Sequence, residues 1–318
     1  MKNDFTALNA TFETMPMALG GGNPAEPEFR LASFKGALRF WWRVLRWKDV
    51  EKAKEKIKEL HKLESEIFGS SDPKFGQSKV RLRLLKPVDS DTKNIRDYFD
   101  QNSGGLYLGY GIDAAKPKRK LLGEFSFQVE IRLSPLLSPE QKRQVEEAIR
   151  LMGTLGGLGS SSRKGFGSLN LIKLEGGTAS LQILENLMKF HDSSALPDWT
   201  AWSEGTRVFS FERKGDWKNL VNSWGTFLKT EIGEMKKEDR CKMGSPRKSG
   251  NCSERRGSPI FFHVSKIEKG MRGRIAFFPS LFLPGKPKQS TDGYFWKPVD
   301  ELIDSARENF NAKEIGNE

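Results

Sequence analysis

The sequence feature that most constrains the fold is a glycine-rich stretch, residues 153–168, with six glycines in its first fifteen residues. A segment with apolar residues at helical spacing precedes it, from Pro139 to Met152, and a predicted strand follows it, from Leu169 to Leu174. A Rossmann turn or a P-loop instead follows a strand and opens a helix. The order helix, glycine loop, strand therefore excludes both of these nucleotide-binding turns.

The same stretch has the composition of a loop that binds a polyanionic backbone. Successive glycines let the main chain adopt positive φ and approach a ligand closely, with N–H groups directed at it. Arg163 and Lys164 add positive charge, and the adjacent serines add small donors. The alternative is a long turn whose glycines serve only the fold. The candidate RNA-binding residues of the loop are Gly156, Gly157, Gly159, Ser161, Ser162, Arg163, Lys164 and Gly165.

A second candidate surface is a basic helix predicted over residues 34–47, with Ser33 as its N-cap. At 100° per residue, its apolar face carries Phe34, Leu38, Trp41 and Leu45. Its narrow second face carries Lys35, Arg39, Arg43 and Arg46. The helix has no acidic residue to pair with these charges, so we expect an anion to lie across them; a solvated face is the alternative. Trp42, at the border, is predicted either to stack on a base or to pack in the core.

Composition favours a nucleic-acid partner. The 318 residues are enough for two domains, and their net charge of +12 accompanies 22 Phe and 8 Trp. A basic soluble protein without such a partner is the alternative. Cys241 and Cys252 are the only cysteines and have no histidine nearby, which predicts a reduced, cytoplasmic protein without disulfide, metal or cofactor. No signal peptide or membrane-length apolar run is present, so no membrane partner is expected.

The element order predicts an α+β fold made of two ferredoxin-like (RRM-like) domains with inserted helices and loops. The first, residues 1–175, reads strand, helices, strand, strand, helix, strand, with a helix over 50–68 and an irregular insertion over 86–124. The second, residues 176–318, begins with a short helix near 179–190 and then repeats that order, but without a recognisable last strand. A basic segment, 236–256, is predicted to be mobile.

Several motifs together resemble a known family, the RAMP superfamily, and within it the first-subunit family of the Cmr complex, the type III-B CRISPR RNA-guided effector. The motifs are Gly20-Gly21-Gly22, Arg30, Ser33-Phe-Lys35-Gly36-Ala-Leu-Arg39-Phe40-Trp41-Trp42-Arg43, Glu66-Ile-Phe68-Gly69-Ser70, Ser78-Lys79-Val80, the glycine loop, and Arg255-Arg256-Gly257-Ser258-Pro259. They span roughly residues 12–80, 150–170 and 255–264. Gly257 departs from the family pattern, in which a bulkier residue is expected.

The resemblance implies two ferredoxin-like domains and a non-catalytic, RNA-binding role at one end of the complex. The chain would lie beside the 3′ region of the guide CRISPR RNA, help to capture single-stranded target RNA, and contact other Cmr subunits. It adds Arg30, Arg255 and Arg256 to the candidate RNA-binding residues. Aromatic residues at the sheet positions that RRM domains use for stacking are not recognisable.

The competing function is a metal-independent endoribonuclease acting on guide RNA precursors, as in some RAMP relatives. Such a site needs a general base near the 2′-hydroxyl of the RNA. The three histidines are His61, His191 and His263, and all of them lie outside the glycine-rich and basic motifs. A metal-dependent nuclease is less favoured still, because no carboxylate cluster stands among the motifs.

Overall fold

The computed structural model describes residues 5–20, 23, 25–177, 184, 196–244, 257–281 and 295–315. The elements of its first part are β1 (Thr6–Thr14), α1 (Leu31–Val44), α2 (Trp47–Val50), α3 (Lys56–Phe68), β2 (Val80–Leu84), β3 (Thr92–Asn94), α4 (Gly104–Leu108), α5 (Tyr110–Asp113), β4 (Lys120–Leu122), β5 (Phe125–Leu133), α6 (Pro139–Leu155) and β6 (Leu169–Glu175). The elements of its second part are β7 (Arg207–Arg213), α7 (Trp217–Glu234), α8 (Lys237–Arg240), β8 (Ile260–Ile267), β9 (Gly270–Phe277), α9 (Lys297–Phe310) and β10 (Lys313–Glu314).

Two antiparallel four-stranded sheets with the same topology organise the chain. Their orders are β2-β5-β1-β6 and β10-β7-β9-β8. When each sheet is numbered by its own strands, both orders are 4-1-3-2, with a helix after the first and after the third strand. This is the β-α-β-β-α-β arrangement. The α+β class with two ferredoxin-like units is confirmed, whereas the boundary between residues 175 and 176 stays a prediction.

The first sheet forms because strands β1 and β5 each alternate apolar and polar residues. Leu8, Ala10 and Phe12 of β1 are buried on the face that α1 and α6 cover. Phe12 stacks on Phe127 of β5 at a ring-centroid distance of 5.3 Å. The helix α6 starts at a capping box, in which the Ser138 hydroxyl accepts from the Gln141 amide.

Two helix predictions need correction. Helix α1 begins at Leu31, its N-cap is Arg30, and no side chain caps it, so Ser33 lies inside the helix. The helix predicted over 50–68 is broken into α2 and α3. Trp47 is buried in the core at the start of α2, and the chain turns before α3 begins at Lys56. As a result Ile57 is 61% exposed, although its helical spacing with Leu60 and Ile67 predicts that it is buried.

The insertion over 86–124 is more ordered than predicted. It contains the β3–β4 pair and the short helices α4 and α5. Helix α4 packs directly on α7, because Gly104 and Gly225 leave no side chain between the two backbones. The Gly105 amide donates to Asn222 Oδ1 at 3.0 Å. The insertion therefore connects the first part of the chain to the second.

The end of the second sheet also differs from its prediction. Strand β10 is only two residues long, but it pairs with β7 and completes the sheet. Within the segment predicted as mobile, α8 is followed by a turn that buries Cys241 and Met243; the mobility of the segment stays a prediction. Cys241 is disulfide-bonded, so the expectation of reduced thiols without a disulfide is wrong for it. Residues 245–256 and most of the helix predicted near 179–190 lie outside the described residues.

Within the described ranges, every helix is too short or too polar to cross a membrane.

Candidate nucleic-acid interface

The glycine loop folds as a compact turn against the segment after β1. The Leu158 amide donates to the Gly167 carbonyl at 2.9 Å, and the Ser160 amide donates to the Ala18 carbonyl at 2.9 Å. Gly159 has a φ of +85°, and a Cβ there would collide with the Ala18 carbonyl. At Gly156, a Cβ would lie 2.5 Å from Trp41 Nε1. The fold of the loop itself therefore requires glycine at these positions.

The loop also joins the two sheets. Strand β8 lies against it, and the Phe262 amide donates to the Arg163 carbonyl at 2.9 Å. From α7, Trp217 Nε1 donates to the Gly165 carbonyl at 2.8 Å in a buried contact. Gly165 is itself buried beside Phe262. We call this contact region, residues 163–170 against β8 and Trp217, the seam. Gly165 packs within the seam and Gly156 packs beside Trp41, so packing accounts for glycine at both positions. The RNA contact of these two glycines stays a prediction.

Arg163 lies within the seam, not at an exposed crest. Its Nη1 donates to the Ser258 carbonyl at 2.6 Å, and its guanidinium lies 4.4 Å from the ring centroid of Phe261. Burial lowers the pKa of Arg163 to about 10, so the group stays charged at neutral pH. A Cβ at residue 257 would lie 2.7 Å from Arg163 Nη1, so a bulkier residue there would require the Arg163 side chain to shift. Burial also lowers the pKa of Lys164.

The tip of the loop, residues 160–162, contacts the insertion. Ser161 has a φ of +59°, and its hydroxyl donates to the Leu108 carbonyl at 3.1 Å. Arg119 Nη1 donates to Ser160 Oγ. Ser161, Ser162 and Gly159 are partly exposed, as is Gly157. These residues, with Lys164, form the part of the predicted loop site that a ligand can reach.

Carboxylates of the chain itself pair with the arginines on the basic face of α1. Arg39 Nε and Arg43 Nη1 each lie 2.6 Å from Glu64 Oε1 of α3. The Glu64 side chain is only 5% exposed. Arg46 pairs with Asp49 and with Glu147 of α6. The three arginines of this face therefore have carboxylate partners within the chain, and a further anion across the face stays a prediction.

This face nevertheless retains positive charge and unused donors. The two arginine side chains are each about one-third exposed. Together with Glu64 they sum to one positive charge, and each guanidinium spends one of its five N–H donors on the carboxylate. Arg30 is exposed at the start of α1. Lys35 Nζ donates to the Val80 carbonyl at 3.2 Å, and burial, followed by the charge of Arg39, lowers its pKa.

Trp42 is a core residue. It is 1% exposed and meets the Phe68 ring edge-to-face at 6.0 Å. The core alternative therefore replaces base stacking as the interpretation of this residue. Arg255 and Arg256 lie outside the described residues. Sequence reasoning missed two residues, Glu64 and Arg119. Glu64 could have been found only from its place on the buried side of the α3 pattern, and Arg119 only from the basic run around it.

The open face of the first sheet carries a further arginine cluster. Arg83 Nε and Arg132 Nε lie 3.2 and 2.9 Å from Glu130 Oε2, on neighbouring strands. Arg81 is next to them and lies over the Phe5 ring at 5.1 Å. The alternation of β2 predicted basic residues on this face, and the structure adds the shared carboxylate.

The chain contains two ferredoxin-like units of identical strand order. In the first unit, a glycine-rich loop lies between the second helix and the last strand. These features define the class of ferredoxin-like, RRM-like proteins. The RAMP superfamily model matches residues 11–170, half of the chain. The chain belongs to the RAMP superfamily.

Comparisons with individual proteins agree with this assignment. The chain is 27% identical over 298 residues to CRISPR system Cmr subunit Cmr1-1 of Pyrococcus furiosus, with 81% of this chain and 82% of the relative covered. It is 28% identical over 176 residues to subunit Cmr1-2 of the same organism, with 49% of this chain and 89% of the relative covered.

Solved structures share the fold. The apo crystal structure of Cmr1 from Pyrococcus furiosus is similar with a TM-score of 0.62 and 19% identity, covering 97% of this chain and 98% of that one. A chain of the type III-B Cmr-beta complex bound to cognate target RNA is similar with a TM-score of 0.54 and 13% identity, covering 86% and 94%.

Proposed function

We propose that the chain is a non-catalytic RNA-binding subunit of a type III-B CRISPR effector complex. It would sit at the end of the complex beside the 3′ region of the guide RNA and help to capture target RNA, in contact with other Cmr subunits. The observation that carries the proposal is the similarity to Cmr1-1, which extends over about four-fifths of both chains. The net charge of +12 supports a polyanionic ligand.

The residues that would bind RNA are those that remain reachable. On α1 these are Arg30, Arg39 and Arg43. Glu64 would fix the orientation of Arg39 and Arg43 and leave their other N–H groups available to phosphate oxygens. On the loop these are Ser161, Ser162 and Lys164, with the nearby backbone of Gly157 and Gly159. Arg255 and Arg256 remain proposed ligands from the motif that contains Ser258.

The test is the RNA affinity of the full chain as a function of salt. If phosphates are the main ligands, the logarithm of the affinity falls linearly with the logarithm of salt concentration, and it varies little among single-stranded sequences. Arg30→Gln should lower the affinity and the slope by about one phosphate contact. The matched control is Lys58→Gln, which removes a similarly exposed charge from the mixed face of α3. A salt-independent affinity, or equal effects of the two variants, would contradict the proposal.

The endoribonuclease alternative gains no support from the described histidines. His61 is exposed on α3. His263 is fully buried, and burial lowers its pKa to about 3, so it is neutral and away from solvent. Labelled guide precursor incubated with the full chain, with and without magnesium, should therefore remain intact. Specific cleavage that persists in a chelator would reinstate the catalytic function.

A further inference from the structure

The insertion presents an aromatic face to solvent beside the glycine loop. Helices α4 and α5 are nearly continuous, and the residues with the highest exposure along them recur at i, i+3, i+4 and i+7. We call these four residues the tyrosine face: Tyr107, Tyr110, Gly111 and Ala114. The opposite side, with Leu108 and Ile112, is buried in the core. The face is therefore the outer side of an anchored helical segment.

The composition of the tyrosine face is unlike that of an ordinary solvated surface. A solvent-exposed helical face is normally rich in charged residues, but these four positions carry two aromatic and two small residues. Tyr107 and Tyr110 are 36% and 55% exposed. Among the described residues, nothing beyond the local backbone and chain neighbours lies within 4 Å of the position of a Cβ at Gly111, so their packing does not require glycine there. The result is an open, flat space beside two exposed rings.

Contacts connect this face to the tip of the glycine loop. The Leu108 carbonyl, between the two tyrosines, accepts from the Ser161 hydroxyl at 3.1 Å. Arg119 follows the face in the chain and donates to Ser160 Oγ. The tip of the glycine loop thus lies against the helical segment that carries the tyrosine face.

Positive charge surrounds the face. Lys116, Lys118 and Lys120 are all exposed in the segment that leads from α5 into β4. Burial raises the pKa of Tyr107, and the positive charge of Arg240 partly opposes that rise. The acid on α5, Asp113, accepts from Nε and Nη2 of Arg96 at 2.8 Å each, so its negative charge is paired.

We propose that the tyrosine face stacks unpaired bases of a single-stranded RNA whose phosphates lie along the glycine-loop tip and Arg119. The proposal rests on the proposed RNA-binding function and specifies where its bases go. Aromatic rings beside a basic track are the means by which single-strand binders hold bases without reading their sequence. The open space at Gly111 admits a base or ribose against the backbone. A protein partner would also use exposed tyrosines, but the surrounding cations match a polyanion better.

The experiment compares two fluorescent ten-nucleotide probes, a single-stranded RNA and an abasic ribose-phosphate chain of the same length. Both are titrated against the full chain and against the chain assembled with its partner subunits. The wild-type protein should bind the RNA more tightly than the abasic chain. Tyr107→Leu with Tyr110→Leu should weaken RNA binding about fivefold or more for each stacked base and leave the abasic probe unchanged. Tyr107→Phe with Tyr110→Phe should behave as wild type, because rings and not hydroxyls stack.

Phe5→Leu is the matched control, since Phe5 is exposed to a similar degree, 37%, and lies under Arg81 on another surface. Circular dichroism confirms that each variant is folded. Equal affinity of the wild type for both probes, or unchanged RNA affinity of the leucine variants, overturns the stacking proposal while the RNA-binding function stands. Leucine variants that bind RNA normally but fail to assemble also overturn it, in favour of a protein contact. A wild-type complex that binds neither probe overturns the proposed function itself.

Discussion

At the scale of single residues, two largely buried carboxylates, Glu64 and Glu130, are each paired with two arginines. Glu64 receives Arg39 and Arg43 from another helix, and Glu130 receives Arg83 and Arg132 from two strands. A carboxylate as buried as Glu64 is costly unless it is paired and hydrogen-bonded. The two arginines of α1 therefore have a structural duty in addition to any contact with RNA.

Because of this structural role, replacing both arginines should lower the stability of the chain. Arg39→Ala with Arg43→Ala leaves Glu64 buried without its partners, so the free energy of unfolding should fall by about 1–3 kcal/mol. Adding Glu64→Gln should restore part of that loss, because the amide removes the uncompensated charge. Urea denaturation measures both effects. The control is Lys62→Ala, which breaks an exposed pair with Glu59 and should cost less than about 1 kcal/mol. A loss no larger than this control's would show that the Glu64 cluster does not matter for stability.

His263 predicts a pH dependence of stability. Its folded pKa of about 3 lies below the ordinary value of 6.5, because burial and the charge of Arg274 disfavour its cationic form. Below about pH 6.5 the unfolded chain therefore binds a proton at His263 that the folded chain does not bind. The stability that the neutral His263 imidazole gives the folded chain is fully present above about pH 6.5 and is lost as the pH falls towards 3. At pH 5 the loss is about 2 kcal/mol.

Comparing wild type with His263→Gln by urea denaturation at several pH values isolates this contribution. The variant should be less sensitive to pH between 6.5 and 5, whatever its overall stability. His61→Gln, at an exposed site, is the control substitution. Parallel curves for wild type and His263→Gln would show that the buried imidazole does not resist protonation.

At the scale of elements, the glycine loop and helix α1 differ in whether their fold requires glycine. Gly159 adopts a positive φ and lies against the Ala18 carbonyl, so the loop fold requires it. Gly36 sits in the middle of α1, is exposed, and has no atom within 4 Å of the place that a Cβ would occupy. Nothing within the described residues requires glycine there, and in a helix it costs about 1 kcal/mol relative to alanine.

Substitution by alanine should therefore separate the two positions. Gly36→Ala should raise the free energy of unfolding by about 0.5–1 kcal/mol through helix propensity. Gly159→Ala should lower it by more than about 1 kcal/mol, because the left-handed conformation and the Ala18 contact both oppose a Cβ. Thermal denaturation of the two variants checks this. Stabilisation by Gly159→Ala would mean that the loop is not held in the described conformation.

The long elements could be predicted from the sequence because their patterns are local. The alternation in β1 and β5 and the periodicity of α6 are readable within about ten to seventeen residues. The breaks and short pieces could not be, since tertiary contacts decide them: α2 is separated from α3 by the burial of Trp47, and the two residues of β10 exist only because β7 is there to pair with. The position of the glycine loop was predicted, but its place in the seam depends on β8, about 95 residues later.

At the scale of the whole molecule, the two sheets are joined by buried contacts. The seam hydrogen-bonds the glycine loop to β8 and α7, and α4 packs backbone to backbone on α7. Buried hydrogen bonds and close glycine packing at such a contact resemble a domain interior more than a flexible linker. The described parts of the chain should therefore respond to denaturation as one unit.

Thermal unfolding of the full chain should accordingly show a single cooperative transition, coincident by near- and far-ultraviolet circular dichroism. Gly225→Val inserts a side chain where the Gly104 backbone lies and should either lower the midpoint strongly or separate the unfolding of the two sheets. Gly233→Val, on the same helix but with open space around it, is the control and should have a much smaller effect. Two transitions in the wild type would show that the seam is weaker than its contacts suggest.

The pairing of β1 has a consequence for the order in which the chain acquires its structure. Strand β1 pairs Thr6 with Leu133 and Asn9 with Glu175, whereas β8 and β9 meet through the tight connection between Ile267 and Gly270. Contacts that close long loops form slowly, and a chain emerging from the ribosome makes its N-terminal residues first. Strand β1 is synthesised before its partners and must therefore wait unpaired until residues 125–175 have followed it, while the β8–β9 hairpin can form as soon as it emerges. Translation speed through that interval governs how long the apolar side of β1 stays exposed to aggregation or to a chaperone.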